Sequence, residues 1–121
     1  MTWEYNVRDH TFTHNGSNRL PANYAGAGGY KDDPTKECII NKGPLPHGNY
    51  TIGAPYNSPH TGKYTLSLTP KSSSDMCGRD AFKIHGMNSK HPDDSSNGCI
   101  IAPLSVRKAI YNSGDTELIV R

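Results

Sequence analysis

No run of apolar residues in the 121-residue chain approaches the roughly 20 needed to cross a bilayer as a helix, so no membrane span is expected. The opening residues Met1-Thr2-Trp3-Glu4-Tyr5 lack the basic start and apolar core of a secretory signal, and the chain is expected to be synthesised in the cytoplasm. Charge of one sign is also scarce. Thirteen Lys and Arg against eleven Asp and Glu leave a net charge of +2, with no basic stripe interleaved with aromatics of the kind nucleic-acid binding uses. No nucleic-acid partner is therefore expected. Hydrophobic residues make up only 33% of the chain, which leaves little core to spare, and no repeat, low-complexity tract or linker divides residues 1–121. A single domain is expected.

What the chain has in quantity is punctuation. Twelve glycines, nine prolines and frequent Ser, Asn and Thr break it into short runs, a pattern that argues for a β-rich, loop-heavy fold. Trp3-Glu4-Tyr5-Asn6-Val7 and His10-Thr11-Phe12-Thr13 alternate large and polar residues around Arg8-Asp9, and His14-Asn15-Gly16 supplies a second turn, so the start reads as β-hairpin material. Residues 23–30, with Gly26, Gly28 and Gly29, read as a loop that lacks the lysine and the strand-to-helix setting of a phosphate site. Tyr50-Thr51-Ile52, Tyr64-Thr65-Leu66-Ser67-Leu68 and Ala81-Phe82-Lys83-Ile84-His85 read as strands, with residues 55–62 as a loop between the first two. Residues 103–111 carry apolar positions at helical spacing after Pro103, Asn112-Ser113-Gly114-Asp115 ends that helix, and residues 116–120 form a last strand.

Chemistry concentrates in two places. Phe82-Lys83-Ile84-His85-Gly86 puts a histidine at a strand end, and Ser96-Asn97-Gly98-Cys99-Ile100-Ile101 puts a cysteine after a small polar turn and before an apolar run. A thiolate attacks a carbonyl carbon well when a neighbouring base or positive charge holds it ionised, and imidazole does this near neutral pH. Gly98 suits a tight turn, and backbone N–H groups around it suit an oxyanion. Gly86 is expected to leave open space above the imidazole for a substrate backbone. If the fold brings His85 to Cys99, the protein is a thiol acyl-transfer enzyme. The odd cysteine count leaves two readings: Cys38 and Cys77 paired with Cys99 as a thiol, or all three reduced.

These residues resemble a known family. His85-Gly86 followed by Ser96-Asn97-Gly98-Cys99 is similar to the signature of the L,D-transpeptidase catalytic domain, in which the histidine and cysteine form the catalytic pair. Asn41-Lys42-Gly43-Pro44-Leu45-Pro46-His47-Gly48-Asn49-Tyr50-Thr51-Ile52 resembles the Gly-Pro-Ile-Pro-x-Gly-x-Tyr segment of that superfamily, especially in its small branch of type VI secretion effectors that attack peptidoglycan. Leu118-Ile119-Val120-Arg121 resembles its final strand. The resemblance runs from about Ala25 onward. It implies a mainly β fold, a compact β-sandwich or barrel-like domain with one or two short helices.

The chain departs from the usual pattern in three ways. Only ten residues separate His85 from Ser96, Asn97 stands where a second histidine precedes the Gly-Cys, and Ile101 and Ala102 fill positions that are usually polar. A shorter insert implies a more open cleft, which favours trimming or exchange over ordered cross-linking.

The resemblance implies Cys99 as nucleophile and His85 as proton carrier on peptidoglycan stem peptides, with Ser96, Asn97 and Gly98 supporting the oxyanion turn and Gly86 and His91 beside the cleft. It implies no cofactor and no metal. It implies secretion into the periplasm of a target bacterium, and with it a secretion machine and a cognate immunity protein. His47 is expected at the surface, and Asp93 and Asp94 either hold His85 or solvate their loop. Two other classes stay open: a zinc hydrolase using His85, His91, Cys99 and Asp93 or Asp94, and a binding module that presents Tyr24, Tyr30, Tyr50, Tyr56 and Tyr64.

Overall fold

Short strands satisfy their backbone N–H and C=O groups by pairing side by side, and the described strands do so in one sheet. A computed structural model describes residues 2–16, 18–40, 42–59, 61–71, 75–87 and 98–121. The strands are β1 (Trp3–Asn6), β2 (Thr11–His14), β3 (Asn18–Pro21), β4 (Tyr24–Ala25), β5 (Gly48–Ile52), β6 (Tyr56–Ser58), β7 (Gly62–Pro70), β8 (Phe82–His85), β9 (Ile100–Ile101) and β10 (Glu117–Val120). One helix, α1 (Leu104–Asn112), and a 3-10 turn at Pro34–Lys36 complete the described elements. The sheet runs β3-β2-β1-β10-β5-β7-β8-β9-β4, with β6 added along β7. The mainly β expectation holds, but this order ends at β3 and β4 and the sheet does not close into a barrel.

Side-chain alternation decides which face is core. Tyr5, Phe12, Tyr50, Leu66, Ile84, Ile100 and Leu118 are all fully or almost fully buried in one apolar cluster, to which α1 adds Val106 and Ile110. The helix starts and ends one residue later than expected, with Pro103 at its cap position and Asn112 as its last residue. The Ser113 N–H reaches the carbonyls of Ala109 and Ile110, and Gly114 turns left-handed at φ +76. Trp3 Nε1 donates to Ser113 Oγ at 3.0 Å, which fastens that helix end to β1.

Three elements differ from expectation. β6 lies inside the stretch read as a loop, β4 lies inside the glycine-rich loop, and β3 had no strand signal. β3 is an edge strand of Asn, Arg, Leu and Pro, and edges tolerate polar residues and proline because one side needs no partner. β4 has only two residues, too few for any period, and exists because Tyr24 and Ala25 pair with Ile101 and Ile100.

Strand β10 joins the two halves of the sheet, parallel to β1 on one side and antiparallel to β5 on the other. Leu118, 1% exposed, stands at this junction beside exposed Glu117. Leu118→Ala is expected to lower unfolding free energy by about 2–5 kcal/mol, whereas Glu117→Ala, which loses only an exposed ion pair to Lys71, should stay within about 0.5–1 kcal/mol. Urea titration of the two variants checks this, and equal losses would contradict a buried junction.

Candidate active site

Strands β8 and β9 are parallel neighbours, with Ile84 level with Ile100 and His85 level with Ile101. Residues at the same level in such a pair share a face, and faces alternate along each strand. Ile84 and Ile100 point into the core, so Lys83, His85 and Ile101 lie on the opposite face. Cys99 immediately precedes Ile100, and continuing the register places it one strand across and two residues back from His85, about 8 Å apart at Cα by ordinary strand spacing. The ladder continues past the histidine, where the Ala102 N–H donates to the His85 carbonyl at 2.9 Å. The fold therefore sets the two residues diagonally across adjacent parallel segments.

The imidazole is 4% exposed. Its Nδ1 lies 3.0 Å from the carbonyl of Gly86, and because a carbonyl only accepts, Nδ1 carries the proton and Nε2 is left as the basic nitrogen. Burial lowers the His85 pKa from its ordinary 6.5, the Gly86 bond opposes that shift, and the charges of Arg107 and Lys83 add to it. His85 is thus a neutral base near pH 7.

The cysteine is held differently. Burial raises the Cys99 thiol above its ordinary value, while the Lys83 backbone N–H and the charges of Lys83 and Arg79 pull it down. Its Sγ contacts the Ala81 carbonyl at 3.7 Å, within reach of a weak S–H donor bond. Both shifts favour the uncharged thiol and imidazole at rest. For the thiol, desolvation outweighs the nearby cations.

Two arginines that the sequence reading passed over sit against the two glycines. A β-carbon on Gly86 would come within 2.7 Å of Arg107 Nη2, and one on Gly98 would collide with Arg79 Nη2. The space beside Gly86, expected to be open to substrate, is filled on that side by a guanidinium. Arg107, 7% exposed, donates from Nε to the Ala102 carbonyl and from Nη1 to the carbonyls of Lys63 and Tyr64. Arg79 donates to the carbonyls of Glu37, Pro44 and Gly43. A cation inside the buried stripe of α1 was a signal for Arg107. Arg79, in a polar loop, gave none.

Cys38 and Cys77 form a disulfide and Cys99 remains a thiol, which settles the cysteine alternatives for the first. Ser96, Asn97, His91, Asp93 and Asp94 lie outside the described residues. So does most of the set proposed for zinc, and among the described residues no three His, Cys, Asp or Glu gather as metal ligands. His47 is a surface residue, its Nδ1 2.8 Å from a Glu37 carboxylate oxygen. Of the tyrosines proposed for a binding module, Tyr24 and Tyr50 are buried and Tyr56 is exposed.

Residues 20–117 match the family described as the Tlde1 domain, and the chain belongs to that family of type VI secretion L,D-transpeptidase effectors, which modify peptidoglycan and are secreted to the target periplasm. The match begins in β3 and ends at the first residue of β10, so β1 and β2 lie outside it. A comparison with curated proteins found no match.

The lowered His85 pKa has a consequence for stability. Between 6.5 and the lower folded value the unfolded chain binds a proton on this residue that the folded protein excludes, so stability is lost as pH falls through that window, by at most about 1.4 kcal/mol per pH unit. Denaturant titrations between pH 7.5 and 5 should show a shallower pH dependence in His85→Gln than in the parent. Parallel curves would mean that the folded protein protonates His85 freely.

Proposed function

We propose that this protein is a cysteine-dependent peptidoglycan-modifying enzyme that acts on tetrapeptide stems through a thioester acyl-enzyme, as an L,D-carboxypeptidase, a D-amino-acid exchange transpeptidase, or both. The observation that supports this is His85 at the end of β8 with Cys99 just before its parallel partner β9, and with Nε2 of the imidazole left as the basic nitrogen. Family membership supplies the substrate class.

In this reading the resting pair is neutral and the proton moves as the sulfur attacks. Cys99 Sγ bonds to the carbonyl carbon at the L-centre of the diaminopimelate residue, and its proton passes to His85 Nε2. The tetrahedral oxyanion is assigned to backbone N–H groups of Asn97, Gly98 and Cys99, with Ser96 supporting the turn, and each good donor contributes about 3 kcal/mol in other acyl-transfer enzymes. The C–N bond to D-alanine then breaks, and His85 returns the proton to the departing amine. Water resolving the thioester gives hydrolysis, and the amine of a D-amino acid gives exchange. No cofactor enters any step. His91 and Gly86 are assigned to the cleft, though Arg107 closes one side of the glycine.

Biologically we assign the chain to antibacterial use, delivered by a secretion machine to the periplasm of a target cell and neutralised in the producer by an immunity protein. Mass spectrometry of defined tetrapeptide muropeptides, incubated with the protein or with Cys99→Ala, with and without an added D-amino acid, tests the chemistry. Loss or replacement of the terminal D-alanine by the parent alone is expected, with at least a thousandfold drop in the variant. Untouched stems from folded protein would leave a binding module as the better reading.

A further inference from the structure

Residues 75–81 form a wall of the site for which neither the sequence motifs nor the mechanism above has a use. Ala81 presents its carbonyl to Cys99 Sγ. Two residues earlier, Arg79 packs its guanidinium against Gly98, the residue before the nucleophile, at a distance only a glycine permits. That guanidinium also grips the opposite wall through the carbonyls of Gly43 and Pro44 and the carbonyl of Glu37. Both walls carry one half of the disulfide: Cys38 follows Glu37, and Cys77 lies two residues before Arg79.

This wall needs holding. Cys77 and Ala81 have φ of 55 and 61, a left-handed backbone that costs non-glycine residues about 1 kcal/mol or more each. A segment of so few residues with two such positions relaxes unless something over-determines it. Among the described residues the disulfide and the Arg79 bonds provide this. Among the described residues the groups facing Cys99 are Arg79 from this wall and Lys83 from β8, with His85 one diagonal step away and Arg107 behind His85.

We propose that Arg79 positions the Gly98–Cys99 turn and supplies charge that brings the buried thiolate within reach, and that the Cys38–Cys77 disulfide holds Arg79 there, so that closing this bond completes the site. This rests on Cys99 being the nucleophile. Lys83 lies on a strand fixed by its neighbours and keeps its place with or without the disulfide, whereas Arg79 does not. Cys38 is exposed, so an exchange partner can reach it. The two thiols pass two electrons and two protons to an external disulfide of an oxidising compartment, which departs as two thiols. The protein is thereby more reactive after it reaches such a compartment than before.

The rate of Cys99 alkylation by iodoacetamide, a neutral reagent, measured from pH 6 to 11, tests the proposal without any peptidoglycan substrate. It can therefore fail while the muropeptide result stands, and the reverse. Relative to the parent with its disulfide closed, Arg79→Gln should alkylate about tenfold more slowly on the rising limb, with the high-pH plateau within about twofold, because a small neutral reagent reads the ionised fraction far more than the position of the turn. Arg79→Lys, which keeps the charge and loses the fork, should fall between them. Cys38→Ser combined with Cys77→Ser should shift the limb in the same direction, and adding Arg79→Gln to that pair should change it less than twofold further. A parent-like profile in Arg79→Gln overturns the role of Arg79. A parent-like profile in the serine pair, or full additivity with Arg79→Gln, overturns the coupling to the disulfide.

Discussion

The site depends on one constraint, the parallel pairing of β8 with β9. Antiparallel neighbours are joined by a tight turn, but parallel ones need the chain to cross over, a connection of about a dozen residues or more. Residues 86–99 make that crossing between His85 and Ile100, close to the shortest length that can. The short insert seen in the sequence is thus near a topological minimum. Because the two strands run the same way, Cys99, just before β9, lies level with Lys83, and His85 stands two residues further along and one strand across. The flanking strands β7 and β4 fix both sides of this pair.

Electrostatics in this site follow from two glycine and arginine contacts that mirror each other. Gly86 admits Arg107 behind the histidine, and Gly98 admits Arg79 behind the cysteine. Each guanidinium spends its donors on backbone carbonyls, so each is a fixed charge and not a mobile one. Behind a base, such a charge favours the neutral ring. Behind a thiol, it favours the anion. One type of side chain, placed twice, therefore keeps the ring unprotonated at rest and eases ionisation of the sulfur, while the same charge behind His85 opposes the ring's holding the proton once taken. Burial acts against the second of these effects, which is why the sulfur rests protonated.

His85 and Cys99 were legible in the sequence because each ends or begins a short apolar run, and such runs locate strands. Their relation across the sheet was not legible, since pairing partners leave no mark in spacing. The tyrosines show the limit from the other side: Tyr50 and Tyr24 look like exposed contact residues by type, yet both are buried, because a strand of a few residues alternates either way until its register is known. Arg79 was invisible for a stronger reason. It acts from an irregular loop whose course depends on a disulfide 39 residues in span, and neither the turn chemistry of Gly78 nor the position of Cys77 says where its guanidinium goes.

The central position of β10 bears on how the protein is made. Among the described residues the hairpin unit β1 to β3 pairs with the rest of the sheet through β10 alone, so these strands wait on one that follows them far along the sequence. Their unpaired edge at β1 stays open until Leu118, Ile119 and Val120 arrive to cover it. Such a sheet closes its centre only once β10 is available, and the chain passes through an interval in which its strands stand in two separate groups. A chaperone, or anything that must thread the polypeptide before it folds, has its opportunity in that interval.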